Sequence, residues 1–114
     1  MVSPRNYVPD RADIVRLEFS PKARHEVAGR RPALVVSPKS YNSKVGVALM
    51  CPLTSKRKGY PFEVPLPSTA GISGVVLADQ IKNLDWQARK AEFVCKVPSD
   101  VTQEVLAKIQ ALIM

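Results

Sequence analysis

The apolar residues of this chain come in runs that are too short for helices, and proline or glycine punctuates nearly every one. Ten prolines are spread over 114 residues. Proline lacks a backbone N–H, so in sheets it is confined to strand ends, edges and bulges. The runs are residues 13–19, 33–36, 45–51, 62–66, 75–78 and 92–97. Only the last segment carries a helical period: from Ser99 onward, Val101, Val105, Ile109, Leu112 and Ile113 recur at steps of four and three or fall on the same face. Ser99 and Asp100 supply N-cap chemistry there, with Gln103 and Glu104 near the positive end of the helix. The expectation is a single mainly β domain over 1–114 with a C-terminal helix, folded as a small SH3-like antiparallel barrel.

Taken in order, residues 13–19 alternate as a half-buried strand, with Arg16 and Glu18 pointing outward. Ala33 to Val36 is apolar on both faces and is expected to be central. Ser37 to Asn42 reads as one capped helical turn, with Ser37 as N-cap and Pro38 at the first helical position. A third strand is expected from Val45 to Cys51, closed by Pro52-Leu53-Thr54-Ser55. Phe62 to Leu66, flanked by prolines and charged at Glu63, reads as an edge strand. Val75 to Ala78 runs on into Asp79-Gln80-Ile81-Lys82, and Glu92 to Val97 is a sixth strand. Trp86, alone in a polar stretch, fits a core lid, a dimer contact or a stacking platform for a base; packing is the expected role.

Charge narrows the function classes. Residues 20–60 carry nine basic groups against the single acidic Glu26, a local balance of +8 in a chain whose net charge is +7. A positive field concentrated in one third of the chain suits a polyanionic partner, and the plainer alternative is a solvated basic face. No apolar run approaches the roughly 20 residues of a membrane helix, and residues 1–10 lack the apolar core of a signal peptide, so a cytoplasmic protein is expected. Cys51 and Cys95 lie inside apolar runs and read as buried reduced thiols. With His25 the only histidine, a zinc or iron site of soft ligands is not expected, and catalysis should need no metal or use loosely held magnesium.

Two polar loops concentrate the reactive groups. The first, Arg24-His25-Glu26-Val27-Ala28-Gly29-Arg30-Arg31-Pro32, leads into the central apolar run, with Gly29 free to adopt positive φ and Pro32 expected at the start of the strand. The second is Lys56-Arg57-Lys58-Gly59-Tyr60-Pro61.

These segments resemble a known family. The run Glu26 to Pro32, the strand ending in Ser37-Pro38, Pro52-Leu53-Thr54, Lys58-Gly59-Tyr60-Pro61-Phe62-Glu63-Val64 and Val76-Leu77-Ala78-Asp79-Gln80 are similar, in the same order, to the MazF/PemK toxin ribonucleases. The resemblance implies the CcdB/MazF-type barrel and a homodimeric, metal-independent endoribonuclease that cuts single-stranded RNA, leaving a cyclic phosphate and a 5′-hydroxyl. It also implies an antitoxin partner with an acidic, flexible tail. By the family pattern the catalytic pair falls on Arg31 and Thr54, with Glu26 and Lys58 near the site and Gln80 on the RNA-binding surface. His25, Arg30, Lys56 and Arg57 join Lys58 and Gln80 as the expected RNA-contacting set. Arg24-His25 departs from the small Gly-Ser pair common at that place in the family.

The residues make such chemistry plausible on their own terms. The RNA 2′-hydroxyl is an internal nucleophile, Arg31 holds two phosphate oxygens with a planar fork, and Thr54 donates one neutral hydrogen bond. Arginine, with a pKa above about 12, explains charge stabilisation better than proton delivery, whereas His25 titrates in a useful range. Tyr41, Tyr60 and Trp86 are candidates for stacking on a base. Two other functions use the same basic loops: a non-catalytic RNA-binding barrel, and an inhibitor of a protein target resembling the CcdB gyrase poisons. The latter end in a tryptophan-containing tail, whereas this chain ends Leu112-Ile113-Met114.

Overall fold

A computed structural model describes residues 7–19, 29–67 and 71–114. The alternation of the first run produces strand β1 (Asp13–Phe19), in which Arg16 and Glu18 are the exposed positions. It pairs antiparallel with β2 (Gly29–Val35), in register from Ile14 opposite Leu34 to Phe19 opposite Gly29. Strand β2 is therefore longer than its apolar part, because the hairpin partner recruits the polar residues 29–32 by backbone pairing. Pro32 lies within the strand rather than at its start, and the ladder on the other edge of β2 begins only at the next residue, Ala33.

Helix α1 (Lys39–Val45) starts one residue later than expected. Pro38 is the extended residue before it, at φ −75° and ψ 155°, and Ser37 makes no cap bond. The capping oxygen comes from a distance instead: the Asp10 carboxylate accepts the Lys39 N–H at 2.9 Å. Ser37 Oγ donates to Asn42 Oδ1 at 2.6 Å and accepts the Leu49 N–H at 2.8 Å. The helix runs on to Val45, whose side chain is exposed, and Gly46, at φ 77°, ends it by donating to the Asn42 carbonyl. The third strand, β3 (Ala48–Thr54), consequently begins three residues after Val45, where the apolar run had suggested.

The remaining elements are β4 (Glu63–Pro65), β5 (Val75–Leu77), a 3-10 turn over Ala78–Gln80, β6 (Lys82–Leu84), β7 (Glu92–Lys96) and helix α2 (Ser99–Ile113). The strand path is β4-β5-β3-β2-β1-β7, with β6 also on β3, and every pairing is antiparallel. Class and helix agree with the sequence. The expected SH3-like barrel is modified, because the two end strands of this path do not pair among the described residues. Helix α2 packs against β4 and the 3-10 turn instead, so side-chain burial covers an end that ladder bonds leave open.

Side chains from the two faces of the sheet form separate cores. Ile14, Leu34, Cys51, Leu53, Val64 and Val76 pack with Val101 and Val105 of α2, while Val15, Leu17, Ala33, Val35, Ala48 and Met50 form the other cluster. The helical stripe holds for Val101, Val105 and Ile109; Leu112 and Ile113 are 46% and 77% exposed. Pro98, not Ser99 or Asp100, is the N-cap residue, and it offers no side-chain bond. Trp86 packs on the second cluster and donates its indole N–H to the Asn42 carbonyl at 3.2 Å. Both thiols are free; Cys51 is buried, which with the nearby Asp79 charge pushes its pKa up to about 12, and Cys95 is half-buried.

Asn42 joins these parts. It is fully buried, and its amide donates to the Pro9 carbonyl at 2.7 Å and the Ser37 carbonyl at 3.0 Å while accepting from Ser37 Oγ. Replacing Asn42 with Ala strips two buried carbonyls of their donor and is expected to lower stability by about 3 kcal/mol. Urea denaturation followed by circular dichroism measures this.

Candidate functional site

The site grows from the end of β3. Thr54 is its last residue and stands opposite Val75 of β5. The Lys56 N–H donates to Thr54 Oγ1 at 3.1 Å, so the oxygen is fixed from one side and its own proton remains available to a ligand. The backbone beside it is closely fitted: a Cβ on Gly74 would lie 2.6 Å from the Thr54 carbonyl oxygen, and Gly74 has φ 129°. Only glycine meets both conditions.

Beyond Thr54 the chain leaves the sheet, and a buried carboxylate holds it. Glu63 accepts the Lys58 N–H at 2.9 Å and the Gly59 N–H at 2.8 Å, with Gly59 in the left-handed region at φ 80°. Its charge and the flanking prolines had suggested an edge strand, and β4 does end the strand path; Glu63 itself is only 8% exposed, because these charge-assisted bonds replace its hydration. Two further ties fix the loop. Lys108 Nζ of α2 donates to the Pro61 carbonyl at 2.6 Å, and Tyr60 donates its hydroxyl to Asp79 Oδ1 at 2.8 Å. Desolvation, followed by the Asp79 carboxylate, pushes the Tyr60 hydroxyl up to about 12.

Gln80 reaches the same place through a register offset. Leu53 faces Val76 while Met50 faces Lys82, so three steps along β3 match six along its partner. The surplus is the Ala78–Gln80 turn, which carries Asp79 and Gln80 out of the sheet. The result is a depression of about 200 Å³ lined by Thr54, Lys56, Lys58, Tyr60, Glu63, Leu77 and Gln80.

Arg31 is placed by register. The β2–β3 ladder ends at Ala33 opposite Pro52, so Arg31 and Thr54 each lie two residues beyond its last pair, and Arg31 is not among the residues lining the depression. Strand alternation gives both side chains the face that also carries Ala33 and Met50. Among the described residues the Arg31 guanidinium has no hydrogen-bond or ion-pair partner. Arg30 is engaged elsewhere: its Nη2 donates to the Arg16 and Lys90 carbonyls at 3.0 and 2.8 Å and to Glu92 Oε1 at 2.8 Å. Arg57 lines a neighbouring depression instead. His25 and Glu26 lie outside the described residues. Of the three stacking candidates only Tyr60 lines the depression; Trp86 is packed, and the Tyr41 hydroxyl accepts from Asn83. Among the described residues no three His, Cys, Asp or Glu side chains gather as a metal site. Sequence reading had passed over Glu63 as a support and Gly74 as a contact; the Lys-Gly step preceding an acidic residue was the available signal for the first.

Residues 10–113 match the family described as the PemK-like, MazF-like toxin of type II toxin–antitoxin system. The chain is 47% identical over 107 residues to the endoribonuclease toxin MazF of Escherichia coli strain K12, a match covering 94% of this chain and 96% of that protein. It superposes on the crystal structure of MazF from Deinococcus radiodurans with a TM-score of 0.89 and 53% identity, over 95% of this chain and 98% of the other. A MazE–MazF crystal structure from the same organism gives a TM-score of 0.86 with 51% identity, over 94% and 97% of the respective chains.

The support by Glu63 is separable from the rest of the fold. In Glu63→Ala the amides of Lys58 and Gly59 lose their acceptor, and their hydrogen exchange is expected to accelerate at least about tenfold while that of β1 and β2 is unchanged. Site-resolved exchange by NMR reads both regions in one experiment.

Proposed function

Because the chain belongs to the PemK-like, MazF-like toxins of type II toxin–antitoxin systems, we propose that it is an endoribonuclease that cuts single-stranded RNA and so arrests translation and growth. The observation that carries this reading is the meeting, at the end of β3, of a fixed threonine hydroxyl with Lys56, Lys58 and Gln80.

The RNA supplies its own nucleophile. The 2′-hydroxyl gives up its proton and attacks the adjacent phosphorus, the bond to the 5′-oxygen of the next nucleotide breaks as that oxygen takes a proton from water, and a 2′,3′-cyclic phosphate and a 5′-hydroxyl result. Negative charge on the phosphorane oxygens is met by the Arg31 fork and the Thr54 O–H, each such donor contributing ~3 kcal/mol in a water-poor site. By the family pattern Glu26 completes the catalytic set, as a carboxylate able to accept the 2′-hydroxyl proton. Lys56, Lys58 and Gln80 hold the strand in place, with Arg57, Arg30 and His25 as further contacts. No step needs a metal ion.

The partners follow the same electrostatics. An acidic, flexible antitoxin tail would occupy the cationic trough, as a MazE–MazF pairing exists for the Deinococcus radiodurans relative. A homodimer would cover the apolar hollow lined by Val36, Leu49, Ile81, Leu106 and Ile109. The site of action is the cytoplasm, where messenger RNA is single-stranded and accessible; among the described residues no helix is long and apolar enough to cross a membrane.

Incubation of a long RNA with the protein in EDTA, with the new ends mapped, is expected to give cuts at one short sequence with cyclic-phosphate and 5′-hydroxyl termini. Arg31→Ala and Thr54→Ala should each lower the cutting rate about 100-fold or more while weakening RNA binding far less. Equal losses in cutting and binding would favour a non-catalytic RNA-binding module, and binding to a protein target without RNA cleavage would favour a CcdB-like inhibitor.

A further inference from the structure

The segment after Thr54 separates two hollows. Thr54, Lys56 and Lys58 line the depression described above, whereas Ser55 and Arg57 line a second one of about 280 Å³. The lining alternates residue by residue, so 54–58 form a ridge with one series facing each hollow. The far wall of the second hollow is Ser73 and Gly74, the glycine whose backbone abuts the Thr54 carbonyl, and Pro65 and Leu66 close it. Its polar groups are one guanidinium and two hydroxyls. Among the described residues, none of the Ser55, Arg57 and Ser73 side chains makes a hydrogen bond or ion pair with another residue. Arg57 is exposed, no carboxylate of the described residues lines the hollow, and Lys56 and Lys58 stand next to Arg57 in the chain.

We propose that this second hollow is a phosphate subsite, in which Arg57, with Ser55 and Ser73, holds the RNA phosphate next to the one that is cut. The proposal rests on the ribonuclease reading and adds to it a division of labour along the ridge. A strand crossing residues 54–58 presents one phosphate to Thr54 and an adjacent one to Arg57. The guanidinium fork with flanking hydroxyl donors matches a phosphate diester, which has two unesterified oxygens and a single charge. The subsite has no base-reading surface of its own and grips without regard to sequence. Its distance from the Thr54 hydroxyl, on the other side of the ridge, makes it a positioning element rather than a participant in bond breaking.

The test uses binding, so that it does not depend on cutting. The probe is a short single-stranded RNA spanning the mapped cut, with a 2′-deoxy sugar at that position to block cleavage, or oligouridine where no cut maps. Its phosphates are replaced one at a time by neutral methylphosphonates, and affinity is measured by filter binding. For the wild-type protein, one position adjacent to the cut is expected to cost about tenfold in affinity when neutralised. Arg57→Ala should cost about the same on the unmodified probe and nothing more on that neutral probe, with the salt dependence shallower by about one unit of slope. Arg57→Lys should recover part of the loss, because charge returns without the fork. Additive losses from Arg57→Ala and the neutral phosphate would overturn the proposal, as would the absence of any sensitive adjacent position. It falls equally if Arg57→Ala leaves RNA affinity unchanged and weakens only the binding of a polyglutamate peptide, which would assign the hollow to a protein partner. A protein that binds the probes as expected but cuts no RNA would overturn the ribonuclease reading and leave the subsite standing.

Discussion

Strand β3 constrains everything else, because one of its edges serves a single partner and the other serves two. On one side it pairs with β2; on the other it pairs with β6 near its start and with β5 near its end. Two partners drawn from one continuous stretch of chain fit on one edge only if the stretch steps out of register between them. The Ala78–Gln80 turn is that step. Sheet geometry therefore does more than support the site: it extrudes Gln80 beside Thr54 and turns Asp79 towards Tyr60.

The electrostatics are arranged with similar economy. The chain concentrates its positive charge between residues 20 and 60, yet the groups are not equivalent in the fold. Arg30 is bonded by two carbonyls and the Glu92 carboxylate, with Glu18 at 3.7 Å, so its charge is largely spent on joining β1, β2 and β7. Lys56 and Lys58 remain exposed beside Thr54, with the Glu63 carboxylate buried beneath them. The buried carboxylate of Glu63 offsets part of their field, and its two backbone hydrogen bonds hold the loop.

Much of this was legible in the residues, for identifiable reasons. Strand β1 could be bounded to the residue because burial alternates from Val15 to Phe19 and Ser20-Pro21 follows. The start of β3 was set too early because Val45 is apolar, and an exposed valine at a helix end looks like the first residue of a strand. Strand β6 has no apolar run at all; Lys82-Asn83-Leu84 pairs because β3 offers a free edge, which is a property of the partner. The same holds for the site. Thr54, Lys58 and Gln80 were marked by motif, whereas the Gly74 contact and the Glu63 bonds depend on which backbone passes nearby, and no local pattern encodes that.

The single tryptophan has a bearing on how the molecule can be watched. Its indole is half-buried against the Leu17 and Met50 cluster and tied to a backbone carbonyl of α1, outside both hollows flanking the ridge. Intrinsic fluorescence will thus report the integrity of the α1 corner and stay nearly silent when a strand enters the trough. Quenching on titration with a ligand would signify a rearrangement transmitted through Asn42 or occupation of the separate hollow that Trp86 lines with Arg30.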